Sequence, residues 1–282
     1  MSQRNLLNLI LAVAAIALAL FVYLKPGQAP DTRIQVGQLD TDTVTTVHLT
    51  RQQAVPLVFN KHDDRWLIDG EPILPANNFQ VDTILALAKA TTGRHYPADT
   101  LDLATMGLQP PLASALLNDE RFDVGITESL NSRRYVLHDN TVYLVQDRYQ
   151  HLLNAGRTNF IERKLLPQDA VITALSLPDT TLFLTNDNHW QLQPSDPAMA
   201  ADTLKALIAR WENSNALYVR DYDGSSGEAI SLTLQDNEEP IEFLLLAVEP
   251  DVVLARPEWG IQYHLTAESG LNLITLPKTA DP

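Results

Sequence analysis

The sequence contains no cysteine and few basic residues. Without cysteine the chain can form no disulfide, no thiolate metal site and no iron–sulfur cluster, and it has no thiol nucleophile. Lysine and arginine total 20 against 35 acidic residues, so the formal net charge is −15. This charge argues against general nucleic-acid binding, because contacts to phosphates need a basic face. The hydrophobic share of 45% is typical of a folded protein.

Motifs of catalysis are also missing from the sequence. There is no Gly-x-Ser-x-Gly elbow, no Ser-x-x-Lys and no glycine-rich phosphate loop, and no two of the seven histidines have His-x-x-x-His spacing. Asp221-Tyr222-Asp223-Gly224 places oxygen ligands at alternate positions, but the further acidic ligands of a calcium loop do not follow, which favours a solvated turn. We therefore expect a non-enzymatic protein with no catalytic, cofactor or metal site.

The first thirty residues predict a membrane anchor. Leu6 to Leu24 is an apolar run interrupted only by Asn8, and as a helix it would span about 28 Å, close to the thickness of the bilayer core. A cleaved signal peptide is the alternative, but Pro30 would directly follow the better-placed cleavage site, after Ala29. We expect a single-pass membrane protein with a cytoplasmic N-terminus and an extracytoplasmic C-terminal domain, since long acidic domains translocate regardless of their charge.

The remainder of the chain predicts two similar α+β units. In each, short β-rich runs lead through a polar turn to a tryptophan strand and then to a helix with buried positions at i, i+3, i+4 and i+7. Trp190 lies 124 residues after Trp66, and Ile208 lies 123 residues after Leu85. The near-constant offset favours an internal duplication. The predicted divisions are 1–30 for anchor and linker, 31–166 for the first unit with its connector, and 167–282 for the second unit.

Both helices have sequence signals for their starts and their buried faces. Asn77 or Asn78 can cap the first, and Ser195 or Asp196 can cap the second with Pro197 at its first position. The predicted buried stripes are Val81, Ile84, Leu85 and Ala88 in the first helix and Leu204, Leu207, Ile208 and Trp211 in the second. Further strands follow each helix, so the fold class is α+β with two tandem antiparallel sheets, each carrying a helix.

The order of these features resembles the bacterial domain-of-unknown-function family 4340. The resemblance rests on Trp66-Leu67-Ile68, the helix that follows, the turn Gly107-Leu108-Gln109-Pro110-Pro111 and the Tyr-rich hairpin of residues 134–145, and it covers residues 65–180. The resemblance implies a membrane-anchored, extracytoplasmic protein that accompanies a transporter of the ATP-binding-cassette type and its gliding-motility-like auxiliary protein. It implies no catalytic residues.

One segment of the acidic chain is basic. Residues 131–164 hold six bases against three acids, Asp139, Asp147 and Glu162. Our hypothesis is that these bases dock an acidic partner or approach anionic lipid headgroups, and the alternative is that they pair with acids of the neighbouring sheet. The predicted docking residues are Arg133, Arg134, Arg148, Arg157, Arg163 and Lys164.

Two functions remain open from the sequence. The first is an accessory or scaffold subunit of a bacterial envelope transport complex, anchored through Leu6 to Leu24 and bound to protein partners. The second is an extracytoplasmic module that binds a glycan or a peptide in a cleft between the two units.

Overall fold

Two large antiparallel sheets are the main elements of the computed structural model, which describes residues 12–19, 33–150, 155–197, 199–235, 237 and 239–276. The strands of the first unit are β1 (Ile34–Gln35), β2 (Thr46–Arg51), β3 (Ala54–His62), β4 (Arg65–Ile68), β5 (Leu74–Pro75), β6 (Thr91–Thr92), β7 (His95–Pro97), β8 (Ala113–Leu117), β9 (Glu120–Thr127), β10 (Arg133–His138) and β11 (Thr141–Gln146). Nine of them form the first sheet, in the order β5-β4-β3-β2-β8-β9-β10-β11-β7. A separate two-residue ladder joins β1 to β6.

The strands of the second sheet are β12 (Ile172–Leu177), β13 (Thr180–Leu184), β14 (Trp190–Gln193), β15 (Tyr218–Asp221), β16 (Glu228–Leu234), β17 (Ile241–Ala247), β18 (Asp251–Arg256) and β19 (Ile261–Thr266). Their order in the sheet is β14-β13-β12-β16-β17-β18-β19-β15. The first sheet has the same order once its edge strand β5 is left out, because each remaining strand has a counterpart at the same place in the sheet and in the chain.

Besides the helical residues 12–19, the described part of the chain has three α-helices: α1 (Asn78–Lys89), α2 (Ala201–Glu212) and α3 (Ala267–Ile274). The first two have 12 residues each and begin 123 residues apart. Every residue of both predicted apolar stripes is buried, which confirms the helical periodicity. Short 3₁₀ helices cover Thr41–Thr43, Ala98–Thr100, Arg157–Phe160 and Pro257–Trp259.

The starts of the two long helices differ from each other. Asn77 caps α1 by accepting a hydrogen bond from the backbone N–H of Gln80, as predicted. The predicted start of α2 is wrong. The helix begins at Ala201 after Ala200, which offers no side-chain cap, while Pro197 precedes the helix in a turn closed by the Met199 N–H to the Asp196 carbonyl. The proline therefore belongs to the approach to the helix.

The hairpin between β10 and β11 follows its sequence closely. Its two loop residues, Asp139 and Asn140, both have positive φ, 43° and 57°. This is the backbone that a two-residue turn of type I′ needs, and asparagine and aspartate adopt it more readily than most residues. His138 pairs with Thr141 across the turn, and the ladder then runs to Arg133 and Gln146.

A connector joins the two sheets into one hydrophobic core. Ile161 forms a β-bridge with Ala76 of the first unit, while Lys164 forms one with Asn215 of the second. On either side of these bridges the connector buries Phe160, Ile161, Leu165 and Leu166, which belong to a core cluster that extends through both sheets. The two units are therefore packed together through the connector.

The predicted membrane span falls mostly outside the described residues. Residues 12–19 are helical and exposed, whereas 6–11 and 20–24 are not described. Within the described ranges, no helix combines the length and the apolar character needed to cross a bilayer.

Candidate functional site

A cavity of about 250 Å³ lies where the two units and the connector meet. Trp66 reaches it from β4, Trp259 from the turn between β18 and β19, and Lys164 from the connector. The remaining walls combine apolar and polar groups: Arg65, Pro75, Ala76, Asn78, Glu162, Leu166, Pro167 and Gln168. Aromatic and proline surface with a few converging polar groups is the composition of many small-molecule and peptide sites.

Backbone hydrogen bonds hold the walls of this cavity in place. The N–H of Glu162 donates to the carbonyl of Pro75 at 2.9 Å, and the N–H of Ala216 donates to the carbonyl of Arg163 at 2.8 Å. The Glu162 carboxylate accepts from the backbone N–H groups of Arg163 and Lys164. The connector therefore brings both units to the cavity in a fixed arrangement.

Trp259 rests on a buried cation. The guanidinium carbon of Arg256 lies 3.4 Å from the centre of the indole ring, and burial lowers the pKa of Arg256. Nε and Nη1 of Arg256 and the hydroxyl of Tyr263 have no hydrogen-bond partner among the described residues. Burial also raises the pKa of Tyr263. The cation orients the tryptophan from behind, because a guanidinium and an aromatic face attract each other.

A second depression, of about 600 Å³, lies between α1 and the end of β11. Phe79 of α1 is 73% exposed at this groove. Lys89 and Arg148 contribute positive charge and Asp82 negative charge. This groove is the larger of the two and is open to solvent, so it suits a surface contact better than an enclosed ligand.

The six predicted docking residues occupy different environments. Arg134 is 3% exposed, and its guanidinium donates to Asp147 and to the Gly125 carbonyl, so it is part of the interior of the sheet. Arg133 and Arg148 lie together, because Arg133 pairs in register with Gln146 and Arg148 donates to the Gln146 side chain. Arg157, Arg163 and Lys164 are half-buried on the connector. The structure thus divides the basic segment into an interior residue, a neighbouring pair in which Arg133 is half-buried and Arg148 is exposed, and a connector group.

The alternation of buried and less buried residues along β10 could have predicted that Arg133 and Arg134 occupy different environments. Neighbouring residues of a strand point to opposite faces, and Val136 and His138 are buried on the same face as Arg134. One of two consecutive arginines in a strand must therefore point inward. No pattern in the sequence predicts that Trp259 and Gln168 line the cavity, because only the packing of the two units brings them together.

Two His–Tyr ring pairs link edge strands to the main sheets. His264 of β19 stacks on Tyr218 of β15 with ring centres 4.5 Å apart, and His95 of β7 lies 6.4 Å from Tyr143 of β11. The Tyr218 hydroxyl donates to Asp251. Burial and the nearby charge of Arg220 both lower the pKa of His264. Together they outweigh the charge of Asp251, which acts in the opposite direction. These rings stabilise the strand pairing at the sheet edges.

No group of three or more histidine, aspartate or glutamate side chains placed to hold a metal ion occurs among the described residues. The acidic turn of the second unit is held by its own backbone. Asp223 accepts a hydrogen bond from the N–H of Ser225. Hydrogen bonds from the side chain and the backbone of Ser225 lower the pKa of the Asp223 carboxyl.

Of three comparisons with known proteins, one identifies the family of the chain. A search of curated proteins and a search of solved structures each returned no match. The family model described as "Domain of unknown function (DUF4340)" matches residues 66–226. The match begins in β4 at Trp66 and covers α1, the later strands of the first sheet, the connector, β12 to β15 and α2, whereas β2 and β3 precede it. The chain belongs to the DUF4340 family.

Proposed function

We propose that the protein is a non-enzymatic accessory or scaffold subunit of a bacterial envelope complex of the ABC-transport type. The observation that supports it is the shared core of the two units. Phe160, Ile161, Leu165 and Leu166 of the connector are almost fully buried within a core cluster that includes residues of both sheets. A body built in this way can hold partner surfaces at fixed separations.

The same proposal includes an anchor in the inner membrane. The apolar run Leu6 to Leu24 has the length for a single crossing, and the helical residues 12–19 lie within it. The N-terminus is then cytoplasmic and the two units are periplasmic. Membership of the DUF4340 family supports this location, because the resemblance implies a membrane-anchored, extracytoplasmic protein that accompanies a transporter.

The test is recovery of partners from membranes with and without the native anchor. We would purify the full-length tagged chain in mild detergent beside a variant whose residues 1–30 come from an unrelated single-pass protein. Recovery of a transporter permease with its auxiliary protein is the expected result. Loss of these partners in the swapped variant would assign the contact to the anchor. Recovery of the chain alone from cells that express the transporter would contradict the proposal.

The cavity between the units favours a second candidate, a module that binds a glycan or a peptide. Trp66 and Trp259 come from different units, and Lys164, Glu162 and Gln168 add polar groups between them. An aromatic surface packs against the apolar faces of sugars and against proline rings, while the polar groups fix the orientation.

Ligand screening by thermal shift tests this candidate on the full-length protein in detergent. Envelope glycans and short peptides should raise the melting temperature of the native chain. The variant Trp259→Leu should lose this shift, and Trp190→Leu, which changes a tryptophan of β14 outside the cavity, should keep it. Equal shifts in both variants would exclude the cavity as the binding site.

We also propose that the two units are an internal repeat. The identical strand order and the two 12-residue helices at equivalent places support this. An experimental structure in which α1 and α2 pack on unlike faces of their sheets would contradict it.

A further inference from the structure

The chain enters the first unit at the end of helix α1. The first described residue of this region is Arg33, and β1 immediately pairs with β6 just after the helix. The backbone N–H of Val36 then donates to the Ala90 carbonyl at 2.9 Å, and that of Gly37 donates to the Ala88 carbonyl at 3.0 Å. These bonds fix the entry point against the C-terminal end of α1.

The sequence limits how far this entry point can lie from the predicted span. Eight residues, 25–32, separate Leu24 from Arg33. A fully extended chain of this length reaches about 30 Å. If Leu6 to Leu24 crosses the bilayer, the surface around Arg33 must lie within that distance of the lipid headgroups.

Several basic side chains collect around this entry point. Arg94, which follows β6, accepts the N–H of Leu144 with its carbonyl, and the Arg133 guanidinium donates to the Leu144 carbonyl at 3.3 Å. Arg148 donates to the Gln146 side chain two residues further along, at 3.2 Å. Three arginines from separate segments therefore converge on the last residues of β11.

Lys89 extends this cluster to the groove beside α1. The groove is lined by Lys89, by Thr91 of β6 and by Gln146 and Arg148. Because Thr91 also pairs with Gln35, the groove adjoins the entry point directly. We call the surface formed by Arg33, Lys89, Arg94, Arg133 and Arg148 the tether face.

The tether face is positive within an acidic protein. Among the described residues, the acids that pair with its bases or line the groove are Asp42, 3.9 Å from Lys89, Glu128, 3.8 Å from Arg94, and Asp82. Lys89, Arg94, Arg133 and Arg148 outnumber these three acids, whereas the whole chain carries −15. The side chains of Lys89 and Arg94 are about half exposed despite these contacts, so their charge remains available to a larger partner.

We propose that the tether face binds the headgroups of anionic phospholipids and holds the first unit against the bilayer. The proposal rests on the membrane anchor of the proposed function, and it adds an orientation of the domain on the membrane. Each basic residue near an anionic surface strengthens attachment about five-fold, so a few such residues suffice once the anchor supplies proximity. The contact is electrostatic and weakens as salt is raised.

The absence of cysteine allows a direct test. Gly93→Cys introduces a single thiol beside Arg94, where a Cβ atom meets nothing within 4 Å and the backbone needs no positive φ. The full-length variant is labelled with a fluorophore and reconstituted into vesicles that contain a lipid with a quencher on its headgroup. One set of vesicles is phosphatidylcholine, and the other includes phosphatidylglycerol. Asn186→Cys in the turn between β13 and β14 is the matched label in the second unit.

We expect quenching at Gly93→Cys to be at least about two-fold stronger in the anionic vesicles and to fall in high salt. Quenching at Asn186→Cys should not depend on the lipid charge. Replacing three cations of the tether face, Arg94→Gln, Arg133→Gln and Arg148→Gln, should abolish the difference. The control variant Lys61→Gln, Lys205→Gln and Arg220→Gln removes the same charge elsewhere and should retain it.

Two negative results have different meanings. A chain that does not float with vesicles of either composition would overturn the membrane anchor and this proposal with it. A chain that floats, but whose Gly93→Cys label is quenched equally in both vesicles or equally in the two triple variants, would overturn the tether face alone.

Discussion

Arg134 and Asp147 form a two-point ion pair inside the first unit, with Nε 2.7 Å from Oδ1 and Nη2 2.8 Å from Oδ2. Both side chains are at least nine-tenths buried. The remaining groups of the pair are also used, because Arg134 donates to the Gly125 carbonyl and Thr127 donates to Asp147. The pair therefore ties β9 and β10 to the chain just after β11.

Replacing one partner should leave the other charge buried alone. We expect Asp147→Asn to lower the free energy of unfolding by about 3–5 kcal/mol, since an uncompensated buried guanidinium is costly. Urea unfolding followed by tryptophan fluorescence measures this change. Asp42→Asn breaks the exposed contact with Lys89 and should cost less than about 1 kcal/mol. Equal effects of the two substitutions would show that Arg134 is solvated.

The Arg134–Asp147 pair should also make the stability of the protein depend on pH in the acidic range. Burial alone would raise the pKa of Asp147, but hydrogen bonds from Arg134 and Thr127 and the charge of Arg134 outweigh it and hold the pKa below its usual value. An unfolded aspartate titrates near pH 3.9, so the stabilisation is complete above about pH 4 and is lost as the pH falls through the lower folded pKa. The melting temperature should fall in this window, and less steeply in Asp147→Asn.

A second pH effect is expected from His264. Burial and Arg220 lower the pKa of its imidazole, so the unfolded chain binds this proton more readily than the folded protein. Stability should therefore rise as the pH increases towards the unfolded pKa of about 6.5 and gain nothing more from this group above it. His264→Gln should remove this part of the pH profile. A profile unchanged by the substitution would assign the slope to other groups.

The two glycines Gly125 and Gly93 should respond oppositely to alanine. A Cβ atom at Gly125 would overlap the Met106 carbonyl oxygen and lie 3.1 Å from Leu108, so backbone must move. We expect Gly125→Ala to destabilise by about 1–3 kcal/mol. Gly93→Ala meets open space and should be neutral or slightly stabilising, because it restricts the unfolded chain. Thermal unfolding of the two variants measures both effects.

Long periodic segments could be predicted from the sequence because their neighbours are local. The apolar stripe of α1 depends on residues one helical turn apart, and the alternating burial of β10 depends on residues of one strand. Both elements are present in the structure. Strands β5, β7 and β15 were not predicted. They have two to four residues each, and strands distant in sequence fix them, as when β11 pairs with β7.

The C-terminal helix α3 was also not predicted, although a local signal exists. The Thr266 side chain accepts from the backbone N–H of Ser269 and caps the helix directly at the end of β19. The helix is fixed by distant contacts, since the indole N–H of Trp211 donates to the Leu273 carbonyl at 2.9 Å. Local sequence patterns also cannot predict the cavity between the units, because Trp66 and Trp259 meet only when both sheets have formed.

The ladder between β1 and β6 also has a mechanical consequence. A force that pulls on the N-terminal segment meets two residue pairs first, whereas the nine-stranded sheet begins only at Thr46 of β2. Detachment of residues 34–45 would also break the bonds of Val36 and Gly37 to the end of α1 and expose Val36 and Val44, which are almost fully buried in the core. A pull on the N-terminal segment is therefore carried into the core beside α1 before it reaches the strands of the nine-stranded sheet.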